Sequence, residues 1–346
     1  MGRLAFSKWR PCLPAFAAST SFQKPFPRKL LSRLSTDHTT EVAKRPRSYT
    51  SAHLTALERF QEARTLYERY RQRAEQECDT VVRECETARL KIEKLLGRQL
   101  IALNLLDVGP GPFLAYSNYF AVDNDVTAID SDAVPVGLSP LPYLQMLWYN
   151  GAWRTAKTVG RKILGIDRTQ RKELRKRMGT RKPHRVHVLQ GDICNSGIAG
   201  GSFDVVYCRS VMQHIIEPER ALTEMARLLR PGGVLYVSLH LYTSHNGARP
   251  FAPGNANHAE DLFWAHLRPN VEGAEGSTAV LNRLRLSEWK SLFTRICPGH
   301  SLEIIESSDP RAKTLAEKLV ASGELPGYTS QELVAHELVL TWRKAA

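Results

Sequence analysis

Beyond Gly97 the chain settles into short β-branched and apolar runs, at 103–108, 126–129, 186–190, 204–208 and 234–239, each followed by turn residues and then a helical stretch. A parallel neighbour is reached only by a crossover, and strands covered on both faces read as continuous apolar runs. The alternation therefore predicts a doubly wound α/β sheet with its ligand crevice at the carboxyl ends of the strands. A helix at 287–294, a strand at 302–307, a helix at 311–321 and a strand at 337–343 extend the expected sheet to seven strands, a Rossmann-like architecture.

The stretch before this domain reads differently. Between Thr50 and Leu96 there is no glycine or proline, and Glu, Arg, Ala and Leu dominate, which predicts one long N-terminal helix over 50–97. Apolar or small residues fall at Phe60, Ala63, Tyr67, Tyr70 and Ala74, then at Cys78, Val81, Cys85, Ala88, Ile92 and Leu95. This is a three-four repeat with a four-residue stutter after Ala74. Two readings stand: a coiled-coil arm that joins two copies as a homodimer through 54–96, or an arm folded across its own domain at 98–346. Residues 1–49, proline-interrupted and rich in Ser, Thr and basic residues, read as a disordered basic tail. The expected compartment is the cytoplasm; the alternative is a mitochondrial or plastid location with 1–36 as a transit peptide.

Composition removes several classes. No apolar run reaches the roughly 18 to 20 residues of a membrane-spanning helix. The six cysteines show no C-x-x-C and no His pairing of zinc-site spacing, so no metal is expected and the thiols read as reduced. The net charge of +13 is concentrated in two places. Residues 1–36 hold seven basic residues and no acid, and 154–185 hold thirteen against Asp167 and Glu173, which leaves −5 for the rest.

The first strand ends in Asp107-Val108-Gly109-Pro110-Gly111-Pro112. An acid followed by Gly-x-Gly lets the backbone turn sharply and approach a ligand beside the positive end of the next helix. Asp130 closes the second strand, where a carboxylate can accept both hydroxyls of a ribose. Asp192 and Ile193 follow the third strand, Cys208 and Arg209 end the fourth, and Arg230-Pro231-Gly232-Gly233 opens the fifth. In this order the motifs resemble the class I S-adenosylmethionine-dependent methyltransferases, among them the bacterial small-molecule group of the ubiquinone and menaquinone type. The resemblance implies that the loop of Asp107, Gly109 and Gly111 lies beneath the methionine moiety and that Asp130 holds the ribose. It further implies that Asp192 and Ile193 face the adenine and that Cys208 and Arg209 line the pocket. Phe113 stands where the family often has a third glycine. A dinucleotide fingerprint fails, because its third glycine would fall at Leu114.

The expected activity is methyl transfer from S-adenosylmethionine to an oxygen, nitrogen or carbon of a small-molecule or lipid-linked acceptor. His214 after the fourth strand has a side chain suited to proton removal near neutral pH and is the candidate base; a structural role at a helix start is the alternative. Cys208 as a covalent nucleophile lacks a neighbouring base. Residues 133–185 form an insertion whose first part is aromatic and apolar, read as acceptor pocket or as packing on the sheet. Its second part is basic, read as a solvated face, a contact for an anionic membrane surface, or a contact for RNA. Residues 242–279 read as a lid. An RNA methyltransferase and a non-catalytic scaffold of this fold are the competing functions.

Overall fold

A computed structural model describes residues 55–132, 135, 137, 139–179, 182–248, 262–268 and 280–346. The tail at 1–49 lies outside them, as do 249–261 and 269–279 of the expected lid.

Seven strands form one sheet in the order β3-β2-β1-β4-β5-β7-β6. They are β1 (Asn104–Val108), β2 (Asp125–Asp130), β3 (His187–Gln190), β4 (Phe203–Arg209), β5 (Leu229–His240), β6 (Ser301–Glu306) and β7 (Ala335–Arg343). The first five pair in parallel, while β7 lies antiparallel between β5 and β6. The order of strand addition reverses between the parallel neighbours β1 and β4, which opens the crevice at their carboxyl ends.

Alternate residues along each strand serve opposite cores, as the two-residue repeat requires. Leu106, Val108, Val206, Cys208, Leu235 and Val237 face the layer of α7 (Pro218–Leu228) and α8 (Leu286–Ile296). Leu105, Val205, Tyr207, Val234 and Tyr236 face the layer of α2 (Ala74–Leu96) and α3 (Ala115–Phe120). A third, smaller core gathers Phe263 and Trp264 against α9 (Pro310–Ala321) and α10 (Ser330–Val334). The described part of the expected lid is thus packed onto the body rather than standing off it.

The single helix expected over 50–97 is corrected to two, α1 (Ala56–Gln72) and α2, interrupted at Arg73. The break falls one residue from the stutter, where the apolar stripe changes phase and the two halves must face different partners. Cys78, Cys85, Ala88 and Ile92 of α2 are buried, the last three beneath Leu105, Phe120 and Val339, so this half of the seam is covered by the chain's own sheet. The insertion forms α4 (Pro140–Asn150), α5 (Ala152–Ile163) and α6 (Ile166–Arg177). Helix α6 lies against the arm: Gln170 donates to the Tyr70 carbonyl at 3.3 Å, and Arg177 pairs with Asp79 at 2.5 Å. Much of the insertion's charge is therefore matched internally, by Asp79, by Asp132 for Arg154 and by Asp167 for Arg161 and Lys162.

Candidate functional site

The turn after β1 carries left-handed backbone at Gly109 (φ 68°), Gly111 (φ 68°) and Leu114 (φ 52°). Gly109 donates its N–H to the Ile129 carbonyl at 2.8 Å, which continues the β1–β2 ladder one residue past the strand. A Cβ at this position would lie 2.3 Å from Val211 Cγ2, so the segment after β4 rests directly on the glycine backbone. The turn departs from the expected third glycine by placing the conformational strain on Leu114, which opens α3.

Asp107 lies at the base of this turn, 2% exposed, and accepts a hydrogen bond from Ser117 Oγ of α3. Burial pushes its carboxyl up to about 7, opposed by the Ser117 bond, and nearby Asp130 adds to the rise. Asp130 ends β2 beside Gln190 of β3 and accepts from the Asp132 N–H at 2.9 Å. Its carboxyl is pushed up to about 6, again by burial. Neither carboxylate forms an ion pair among the described residues. Arg154, paired with Asp132, partly offsets the Asp130 charge, while no cation pairs with Asp107 among the described residues, so a positively charged ligand would complete the charge of the site.

Past β3, Asp192 caps a 3-10 turn at Ile193–Asn195 by accepting from Cys194 N at 2.9 Å. Ile193, expected to face a ligand, is buried in the core with Ile129 and Met225. Cys208 departs from the expected pocket wall as well. Its side chain is 0% exposed within the α7 and α8 layer, and burial pushes the thiol far above its ordinary range, which removes it as a nucleophile. The alternation of β4 explains this: Val206 and Cys208 share a face, and the next residue must point the other way.

Arg209, on that other face, is held by the arm. Its Nη2 donates to Glu84 Oε1 of α2 at 2.6 Å, and its guanidinium lies 5.0 Å from the ring of Tyr116. The Tyr116 hydroxyl donates to the second oxygen of the same glutamate at 2.6 Å. Tyr70 of α1 meets Phe113 edge-to-face at 4.9 Å, and Arg161 of α5 sits 4.7 Å from the same ring. Arm and insertion together thus clasp the β1 turn.

After β4 the backbone passes through Ser210 (φ 55°) into a 3-10 turn, Met212–His214. His214 Nδ1 lies 2.9 Å from the Val280 carbonyl. A carbonyl only accepts, so Nδ1 carries the proton and Nε2 holds the lone pair of the neutral ring. Asn282 reinforces the contact by donating to the Met212 and Ile215 carbonyls at 2.8 and 2.9 Å. Gln213 was missed by sequence reasoning. It is 3% exposed, and neither its Oε1 nor its Nε2 has a hydrogen-bond partner among the described residues. The one available signal was an amide inside the apolar run Val211-Met212-Gln213-His214-Ile215. Glu84 was missed too, because an acid on a solvated-looking helix face carries no mark of its partner.

The sequence–family comparison falls on this half of the site. Residues 150–237 match the Methyltransferase domain family, a span that holds β3, β4, the His214 turn and most of β5. A probable S-adenosylmethionine-dependent methyltransferase of Mycolicibacterium smegmatis is 30% identical over 158 residues, 44% of this chain and 57% of that protein. An uncharacterised 37.1 kDa protein of a Streptomyces fradiae transposon is 35% identical over 188 residues, 54% of this chain and 53% of that protein. The chain spans about half the length of these curated relatives. Among solved structures, Haemonchus contortus phosphoethanolamine N-methyltransferase 2 with S-adenosylhomocysteine matches at 15% identity and TM-score 0.41, covering 75% of this chain and 53% of that one. Seven strands in this order with β7 reversed give the chain a Rossmann-like fold, and a methyltransferase-domain match falls across the third to fifth of them.

Proposed function

We propose that the chain transfers a methyl group from S-adenosylmethionine to an oxygen, nitrogen or carbon of a small-molecule or lipid-linked acceptor. The observation that carries the reading is the pair of carboxylates at the ends of β1 and β2, Asp107 and Asp130, both pushed up by burial and set beside a turn with left-handed glycines at 109 and 111. The donor fits this site because it brings an ammonium and a sulfonium to the acids, and ribose hydroxyls to Asp130. Once bound, it supplies an electrophilic methyl for in-line displacement. Asp192 and the 3-10 turn at Ile193 border the adenine end. Gln213 orients the acceptor through its two amide atoms, and His214 removes the acceptor's proton at Nε2 where one must leave.

Among the described residues, Cys78, Cys85, Cys194, Cys208 and Cys297 form no disulfide. No helix among the described residues is long and apolar enough to cross a membrane.

Thermal melting with S-adenosylmethionine, or with its demethylated product, tests the donor site. At 100 times the dissociation constant the ligand adds about 2.7 kcal/mol of stability. Asp130→Ala removes the charged acceptor of the ribose and is expected to weaken binding by tenfold or more. No melting shift at millimolar ligand overturns the reading, and so does an unchanged affinity in Asp130→Ala.

A further inference from the structure

Helix α4, PLPYLQMLWYN, has no charged residue, yet only Met146 and Asn150 are buried. Leu141, Leu144 and Trp148 recur at helical spacing on its outer face, and Trp148 is 82% exposed. The far end of the α4–α5 hairpin repeats the pattern, with Ile163 78% exposed and Leu164 exposed beside it. The aromatic part of the insertion therefore neither lines a pocket at Trp148 nor packs it on the sheet, as the sequence suggested.

A contiguous apolar face of this kind on a folded chain marks a contact surface. What lies beside it identifies the contact. Arg168, Arg171, Lys172 and Arg175 of α6 are exposed and form no ion pair with a carboxylate among the described residues. A cavity of about 780 Å³ joins the two features: Pro142 and Gln145 of α4 line it together with Lys162, Arg171, Arg175 and Arg185, against the single acid Asp167, which pairs with Lys162.

We infer that this insertion seats the protein on an anionic lipid surface, with the outer face of α4 and the Ile163-Leu164 corner among the acyl chains and the cationic cavity on the headgroup phosphates. Apolar side chains beside unpaired Lys and Arg are what an interfacial helix needs: burial supplies part of the binding, and attraction to anionic lipid supplies the rest. A second copy of the chain fits less well. A two-fold contact through this face would bring the unpaired cations of one α6 towards those of the other. Nucleic acid also fits less well, because leucines offer nothing to phosphates or base edges, and Phe113, the aromatic residue on the cavity wall, is already enclosed by Tyr70 and Arg161. The exposed faces of α4 and α6 lie outside the donor site, whereas the cavity also reaches Pro112, Phe113 and Leu114 of the β1 turn. The inference stands apart from the methyl-transfer reading because vesicle binding and the melting shift with S-adenosylmethionine are read separately.

The test is sedimentation of the full chain with phosphatidylcholine vesicles and with phosphatidylcholine vesicles containing phosphatidylglycerol. Binding is expected to the anionic vesicles, to fall as salt is raised, and to be weak on the neutral ones. The double variant Leu144→Ser/Trp148→Ser, whose side chains are exposed, is expected to keep its melting temperature and circular dichroism and to lose binding by tenfold or more. Lys172→Glu/Arg175→Glu is expected to lose roughly fivefold or more per position. Absence of binding to anionic vesicles overturns the inference, as does a Leu144→Ser/Trp148→Ser protein that binds them like wild type. A wild-type dimer that becomes monomeric in that variant, with no vesicle binding in either, assigns the face to self-association and overturns it equally. Arms with inorganic phosphate and with soluble glycerophosphate separate the sources of the headgroup chemistry: displacement of vesicle-bound protein by either at millimolar concentration makes the cavity a free-phosphate site and overturns the lipid assignment.

Discussion

Ser117 donates its hydroxyl hydrogen bond to Asp107, and this is the polar contact that steadies a carboxyl otherwise closed off from water. Burial outweighs it, so the folded protein holds the Asp107 proton more tightly than the unfolded chain does. Stability from this group is fully present below about pH 4 and is lost as the pH rises towards about 7. Asp107→Asn keeps an acceptor for Ser117 and cannot ionise. Its stability relative to wild type is expected to rise across that window, by an amount on the order of a few kcal/mol, in urea titrations at a series of pH values. A difference that stays flat with pH would mean Asp107 is ionised throughout.

Gly109→Ala tests the contact between the β1 turn and the segment after β4. The new methyl meets Val211 at 2.3 Å on a backbone with φ of 68°, so a loss of about 2–4 kcal/mol is expected, read as a lower melting temperature. Adding Val211→Ala removes the nearest atoms and should return part of the loss. If it returns none, backbone strain alone accounts for the effect.

The Glu84–Arg209 contact ties α2 to the end of β4, with Tyr116 on the second oxygen of the carboxylate. Glu84→Gln is expected to cost about 1–3 kcal/mol, because a half-buried guanidinium loses its charged partner. A cycle with Arg209→Met should show strong coupling, whereas independent effects would indicate that the arm is held by its apolar seam alone.

Gln213→Met removes two buried polar atoms that lack partners and keeps the volume. The ligand-free protein is expected to gain about 1–2 kcal/mol, a rise in melting temperature of a few degrees. Under the proposed role the same change raises the KM for the acceptor. A variant that is more stable and equally active would make Gln213 an unused cost of the fold.

The sheet was legible in the sequence because periodicity encodes it: the runs at 126–129, 204–208 and 302–307 fall within one residue of β2, β4 and β6. Asp107 and Asp130 were legible for the same reason, since a strand end fixes where its acid stands. The antiparallel insertion of β7 was not, because an edge order is set by packing among distant elements. Cys208 was misread through its neighbours: a residue next to a strand end lines a crevice or a core according to pleat phase, which one position decides. Glu84 and Gln213 lay beyond reach because their meaning depends on partners far along the chain, or on the lack of them. The break at Arg73 carries no Gly or Pro, and only the phase slip in the stripe announced it.

The seam between the arm and α6 has a bearing on how the chain is made. Cys78 faces Gln170, which follows it by 92 residues, and Asp79 waits for Arg177, 98 residues later. During synthesis the Tyr70–Asp79 part of the arm therefore emerges without its partners and stays so until the insertion has left the ribosome. Contacts of such long sequence separation form late and fold slowly. For that interval Cys78 and Asp79 stand without Gln170 and Arg177, and this polar seam is expected to close after α2 has met β1 and α3.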